Sequence, residues 1–288
     1  MPQNPSGNPS LVQQISNAVV PEGAIMFWHL GQSGVVLKVN DVICYIDPYL
    51  SNYIEEESLV YPPNLLKRNF DSPISPEAIT HANLVLITHE HVDHLDPKTL
   101  KAIMKSSPEA TFICPAPSTT QLKTIGIHED RIHFALAYEV IQFANLSITP
   151  VPAKHEDFFT DQKQRHYYLG YVIETNNETI YHAGDTVLYK ELIDFLKPRA
   201  IDVGFLPING QDWKRSNEGA LGNMNFRDAI ELSQQIDLDL IVPVHYDLFQ
   251  SNTESPAFFV DYLYRNYPFQ KFKMMVPGEM MVYWSKFK

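Results

Sequence analysis

The sequence predicts an α+β fold in which two mixed β-sheets pack face to face and helices cover both outer faces. Three observations lead there. Short runs rich in β-branched and aromatic residues recur through both halves, many joined by hairpin-like turns. Amphipathic helical segments alternate with the later runs. Each cluster of histidine or aspartate lies just past a strand-like run. Strands so numerous, and so often joined by hairpins, do not fit a doubly wound sheet. Two sheets with helices outside bury the apolar faces.

The elements follow in order. Residues 1–23, rich in Pro, Asn, Ser and Gly, read as a tail or irregular lead-in, and 24–288 as one catalytic domain. AIMFWHL, GVVLKV and VICYID, separated by Gly-Gln-Ser-Gly and Asn-Asp turn signals, read as a meander. Residues 51–82 carry little periodicity and read as a long loop, with a short helix near Leu65–Asn69. LVLIT (84–88) is a buried strand. Pro97 starts a helix with Leu100, Ile103 and Met104 on one face. TFICP is a strand, and Ser118 caps a helix that Gly126 ends. Beyond Ile132 come EVIQF, NLSITPVPA, YYLGYVIET and ETIYHAG, with a tight turn at Asn176-Asn177. Helices are expected over Thr186–Leu196, Phe226–Ile236 and Pro256–Arg265, and strands at IDVGFLPI, Leu238–Val244, FKMMVP and MMVYWS.

With 288 residues, 44% apolar and 19% charged, the chain has enough core for a large domain and is not a charge-rich disordered segment. Its formal net charge of −12 argues against a nucleic-acid partner, which needs a basic face. No Lys or Arg precedes an apolar run at the start, so a secretory leader is not expected. No apolar stretch approaches the roughly 18 residues of a membrane span. Cys44 and Cys114 sit in apolar runs and read as buried strand cysteines rather than a disulfide or ligands. A cytoplasmic address is the default, and assembly into a homo-oligomer is left open.

Thr88-His89-Glu90-His91-Val92-Asp93-His94 carries the chemistry. Imidazole and carboxylate are the ligands that zinc, manganese and iron prefer. In an extended segment His89 and His91 point the same way, towards one metal. Asp93 and His94, on the following turn, aim at a second. Three more pieces also follow strands: Lys154-His155-Glu156-Asp157, His182-Ala183-Gly184-Asp185-Thr186 and Pro243-Val244-His245-Tyr246-Asp247. Asp185 is a natural bridging carboxylate, and Gly184 permits close backbone approach. His155 and His245, each taken alone, are as readily ordinary polar residues as ligands.

Together and in this order the pieces resemble the metallo-β-lactamase superfamily over about Ile25 to Tyr283. The resemblance implies a four-layer αββα sandwich. It also implies two divalent metal ions, zinc or manganese. His89, His91 and His155 would bind the first, Asp93, His94 and His245 the second, and Asp185 both. His155 lacks the flanking glycine of many members, so its place rests on order. MFWHLGQSGVVLKVND, THEHVDHLD, YHAGDT and VPVHYDLF look most like the ascorbate-6-phosphate lactonases, and N-acyl phosphatidylethanolamine phospholipases share several of these cues.

A hydrolase using a metal-bridged hydroxide follows, with Asp93 and Asp185 orienting the nucleophile and taking its proton. Tyr246 is a candidate donor to an oxyanion, although core packing is its readier explanation. The expected activity is a lactonase acting on a small, anionic, phosphorylated sugar lactone. A phosphodiesterase or an N-acyl phospholipid hydrolase of the same fold is the alternative, and a metal-binding scaffold without catalysis is a third reading. Asp212–Ser216 and Gln162–His166 offer cations for a substrate anion, against the plainer reading of solvated surface. His29, His81, His128, His133, His166 and His182 have no ligand pattern and read as structural, with His182 a candidate partner of the ligands.

Overall fold

The computed structural model describes residues 10–57, 67–217 and 222–285. Between Leu11 and Asn17 lies helix α1, where an irregular lead-in was expected. Its cause is legible: the Ser10 and Gln13 side chains form a reciprocal capping box, and Ile15 is fully buried. Strands β1 (Ala24–Gly31), β2 (Gly34–Val39) and β3 (Val42–Ile46) form the expected antiparallel meander.

The long loop opens with the short helix α2 (Tyr53–Glu56). The helix expected near Leu65–Asn69 lies partly outside the described residues, and Arg68 forms a bridge to Phe249 instead. Then come β4 (Leu84–Leu86), α3 (Pro97–Ser106), β5 (Thr111–Pro115), α4 (Thr119–Ile125) and β6 (Ile132–Ala135). Ser118 does not cap α4 through its side chain. A turn of 3₁₀ helix over Ala116–Ser118 already feeds the helix, and Gly126 ends it in the left-handed conformation as expected.

The second half holds β7 (Ile141–Phe143), β8 (Leu146–Pro152), β9 (Leu169–Glu174), β10 (Thr179–His182), α5 (Lys190–Leu196) and β11 (Val203–Pro207). It continues with α6 (Trp213–Asn217), α7 (Phe226–Gln235), β12 (Leu240–Val244), α8 (Pro256–Asn266), β13 (Lys271–Phe272) and β14 (Met280–Trp284). Helix α5 starts at Lys190, not Thr186, because residues 186 and 187 are spent on a neighbouring loop. The Thr186 hydroxyl accepts from Lys154 N, and Val187 N donates to Lys154 O.

The strands make two seven-stranded mixed sheets, in the orders β14-β1-β2-β3-β4-β5-β6 and β13-β12-β11-β10-β9-β8-β7. One apolar core joins their inner faces. Phe27 meets Phe205 edge to face at 5.2 Å, and the Tyr171 hydroxyl donates to Ile87 O (2.8 Å). A second core packs α1, α3 and α4 on the outside of the first sheet, and a third packs α5, α7 and α8 on the second. This is the four-layer αββα arrangement. Cys44 and Cys114 are buried and free, and burial raises both thiols, Cys114 to about 12. Among the described residues no helix is long and apolar enough to cross a membrane.

Candidate metal centre

The carboxyl ends of β4, β8, β10 and β12 meet at one rim, so loops far apart in sequence converge there. After β4 the chain runs through His89 and His91. It then turns back on itself: His94 N and Leu95 N both donate to His91 O (2.9 and 2.8 Å). That turn faces Asp93 and His94 inwards. Gly184 lets the β10 loop reach the same point. Its φ is +60°, and a Cβ there would lie 2.8 Å from Leu169 O and 2.9 Å from Thr88 Cβ. His245 leaves β12 with φ +59°, a left-handed conformation rare for a non-glycine residue.

Two groups of donor atoms result, His89, His91, His155 and Asp185 in one and Asp93, His94 and His245 in the other. Asp185 reaches both: its Oδ1 is 3.3 Å from His94 Nε2, and its Oδ2 is 3.2 Å from His245 Nε2 and 3.7 Å from His155 Nε2. All seven residues named from the sequence are therefore brought together.

The donor set fits divalent cations on geometry as well as chemistry. Around Asp93 the separations are 3.5 Å to His94 Nε2 and 3.4 Å to His245 Nε2. Tetrahedral bonds of about 2.0–2.1 Å place neighbouring ligand atoms roughly 3.4 Å apart. His94 Nε2 and Asp185 Oδ1 are buried and face each other at 3.3 Å without a well-formed hydrogen bond, a cost that a bound cation would relieve.

Protein acceptors hold the outward nitrogen of three imidazoles, which leaves the other lone pair facing inward. His94 Nδ1 donates to Asp47 (2.7 Å), His89 Nδ1 to the Thr88 hydroxyl (3.0 Å) and His155 Nδ1 to Gly222 O (3.0 Å). Asp47 also accepts from Thr88 N and Thr88 Oγ1 (2.8 and 2.6 Å), tying the end of β3 to the ligand loop.

The electrostatics of the two groups differ. Burial lowers His89, His91 and His155, the last to about 4, so these imidazoles are neutral and free to ligate. Burial works the same way on His94 and His245 but is outweighed. Asp185, Asp93 and Asp47 raise His94 well above the ordinary range, and Asp185 and Asp93 raise His245 to about 9. Burial would raise the carboxyls of Asp93 and Asp185, yet the facing imidazoles hold both well below the usual carboxylate range. Asp93 and Asp185 thus stay ionised and draw positive charge to the second group, as protonated imidazole or as a cation.

Other sequence candidates fall elsewhere. The Tyr246 hydroxyl donates to Met275 O (3.3 Å) in the third core, the packing role weighed for it. Arg165 is paired with Asp161, and Arg215 with Asp212 and Asn252, and both side chains are partly buried. His182 donates to Ser33 O (2.9 Å) and accepts from Gly184 N (3.3 Å), so it supports the Asp185 turn. Sequence reasoning missed the roles of Asp47 and Gln32, and named Thr88 only as the first residue of the motif. Only Asp47 left a trace, as a carboxylate closing an apolar strand run. A cavity of about 920 Å³ lies beside the ligand loop, lined by Tyr53, Glu90, Val92, Lys101, Gln121 and Tyr167 among others.

Comparison with known proteins agrees with this fold and with a metal-dependent hydrolase. A family model described as a Beta-lactamase superfamily domain matches residues 44–246. A protein of Enterococcus faecalis named as a UPF0173 metal-dependent hydrolase is 29% identical over 205 residues, covering 70% of this chain and 82% of its own. An Exiguobacterium protein of the same name is 28% identical over 243 residues, 82% and 92% of the two chains. Among solved structures, a metallo hydrolase from the archaeon Ignicoccus hospitalis superposes with a TM-score of 0.67 at 23% identity, over 91% of this chain and 100% of the other. An isothiocyanate hydrolase from Delia radicum gut bacteria gives 0.72 at 18% identity, over 89% and 98%.

Proposed function

Because the chain belongs to the metallo-β-lactamase superfamily and is a metal-dependent hydrolase, we propose that it is a binuclear enzyme that opens the lactone of a small phosphorylated sugar. The observation that carries the two-cation reading is the single carboxylate of Asp185, within 3.2–3.7 Å of donors from both groups. His89, His91 and His155 hold one cation, Asp93, His94 and His245 the other, and Asp185 spans them. The nitrogen and oxygen donor set suits zinc or manganese. Such a pair supplies Lewis acidity and lowers the pKa of a coordinated water.

The chain's own residues do the rest. Asp93 is the more open of the two carboxylates, 18% exposed against 4% for Asp185. Held ionised by His94 and His245, it is placed to orient a nucleophile and take its proton. Asp185, buried behind it, fixes the separation of the two groups. The cavity beside Glu90 and Val92 receives the body of the substrate, with Lys101 at its wall to meet an anionic group. Segment resemblance to the ascorbate-6-phosphate lactonases supports the lactone, and the acidic charge balance disfavours a polyanionic nucleic acid.

The test is hydrolysis of a sugar-phosphate lactone by metal-loaded protein. Activity should disappear with His91→Ala and with chelator, and return when metal is restored. Cleavage of bis-p-nitrophenyl phosphate without lactone opening would replace this reading with the phosphodiesterase. Release of fatty acid amides from N-acyl phospholipid vesicles would replace it with the phospholipase.

A further inference from the structure

We infer that Gln32 is a positioning residue of the second group: its carboxamide sets the spacing of Asp93 and His245 and so governs how tightly the second cation is held. The inference rests on the two-cation reading above. Gln32 lies in the turn between β1 and β2, yet it is only 1% exposed. Its Nε2 donates to Asp93 Oδ2 (2.9 Å) and stands 3.0 Å from His245 Nε2 and 3.3 Å from His245 Nδ1. One amide group therefore touches two candidate ligands, one following β4 in the first sheet and the other following β12 in the second.

The backbone of Gln32 is fixed from the same direction. Its N–H donates to Asp247 Oδ1 (3.0 Å), and its carbonyl accepts from His245 N (2.8 Å). Asp247 is held in turn by His29, whose Nε2 donates to Asp247 Oδ2 (2.9 Å). These bonds pin Gln32 in the left-handed region, at φ +54°. A non-glycine residue stays in that region only when its surroundings over-determine it.

The opposite end of the side chain shows what the placement serves. Gln32 Oε1 is buried with no hydrogen-bond partner. A glutamine placed for packing alone would satisfy both ends of its amide or be replaced by an apolar side chain. Here the acceptor is left unpaired while the donor is aimed at the Asp93 oxygen that faces His94 and His245. Hydrogen bonds from such outer residues hold a ligating carboxylate in one orientation. Among the described residues the Gln32 carboxamide meets Asp93 and His245, both of the second group, so its removal should loosen one cation and spare the other.

The experiment is zinc binding by equilibrium dialysis to the full chain, wild type against Gln32→Met, which keeps length and removes the donor. Wild type should bind two zinc ions, and the variant should lose at least about tenfold in one binding step while the other stays within about threefold. Both steps unchanged, or both weakened alike, would overturn the role of Gln32 and leave the two-cation reading standing. A wild type that binds one zinc overturns both. Should Gln32→Met not fold, the wild type decides through the ¹⁵N–¹H signals of the Gln32 side chain. They should move on filling of one zinc site and not the other, and signals that ignore zinc sink the inference.

Discussion

Asp47 and His94 form a fully buried pair, with Nδ1 donating to the carboxylate at 2.7 Å. The pair dictates that His94 turns Nε2 towards Asp93 and Asp185. Asp47→Asn keeps the shape of the side chain and removes its charge. We expect metal affinity to fall about 10–100-fold with the fold retained, measured by competition with a chromophoric chelator. An affinity equal to wild type would mean that Asp47 serves only to cap the Thr88 turn.

Gly184→Ala tests the turn that presents Asp185. The added methyl meets backbone and Thr88 at under 3 Å in a left-handed conformation. We expect a loss of about 1–3 kcal/mol, read as the shift in urea midpoint at constant slope. Metal content should fall with it, because Asp185 is the next residue. A variant of wild-type stability that still holds its metal would contradict this account of the turn.

Tyr171→Phe removes the hydrogen bond to Ile87 O that crosses the sandwich two residues before His89. The expected cost is about 1–3 kcal/mol, because a buried carbonyl loses its partner. Thermal melting of metal-free protein checks it, and an unchanged transition would show that Ile87 finds another donor.

His81 makes stability depend on pH at a place away from the metal ligands. Burial, then the charge of Lys38, lowers its pKa from 6.5 to about 4, and the Tyr45 hydroxyl lies 2.9 Å from its Nε2. Between those values the unfolded chain takes up a proton that the folded protein refuses. Stability from this group is therefore full above pH 6.5, falls as pH drops towards 4, and levels off below. Urea titrations of chelator-treated protein should show a shallower fall over that window in His81→Leu than in wild type. Parallel curves would remove His81 from the balance.

The sheets, most helices and the His89–His94 motif were legible because each rests on local pattern: alternation, cap residues, or histidines at fixed spacing after a strand; His155, Asp185 and His245 were singled out by their order within the family resemblance. What escaped was decided by contacts between distant segments. Gln32 reads locally as a turn residue, and its proximity to Asp93 and His245 exists only once β1, β4 and β12 share a rim. Thr186 looks like the start of a helix but is claimed by the backbone of Lys154. Helix α1 is different in kind, since Ser10 and Gln13 spell its capping box in the sequence itself.

The rim gathers its donors from residues 89 to 245, the first four after a strand of the first sheet and the last three after strands of the second. During synthesis, the first 150 residues offer a cation only the four ligands of one short loop. Asp185 and His245 arrive after most of the chain has been made, and the Asp93 group cannot close until β12 has docked. Both donor groups are therefore completed only when the second sheet has formed against the first.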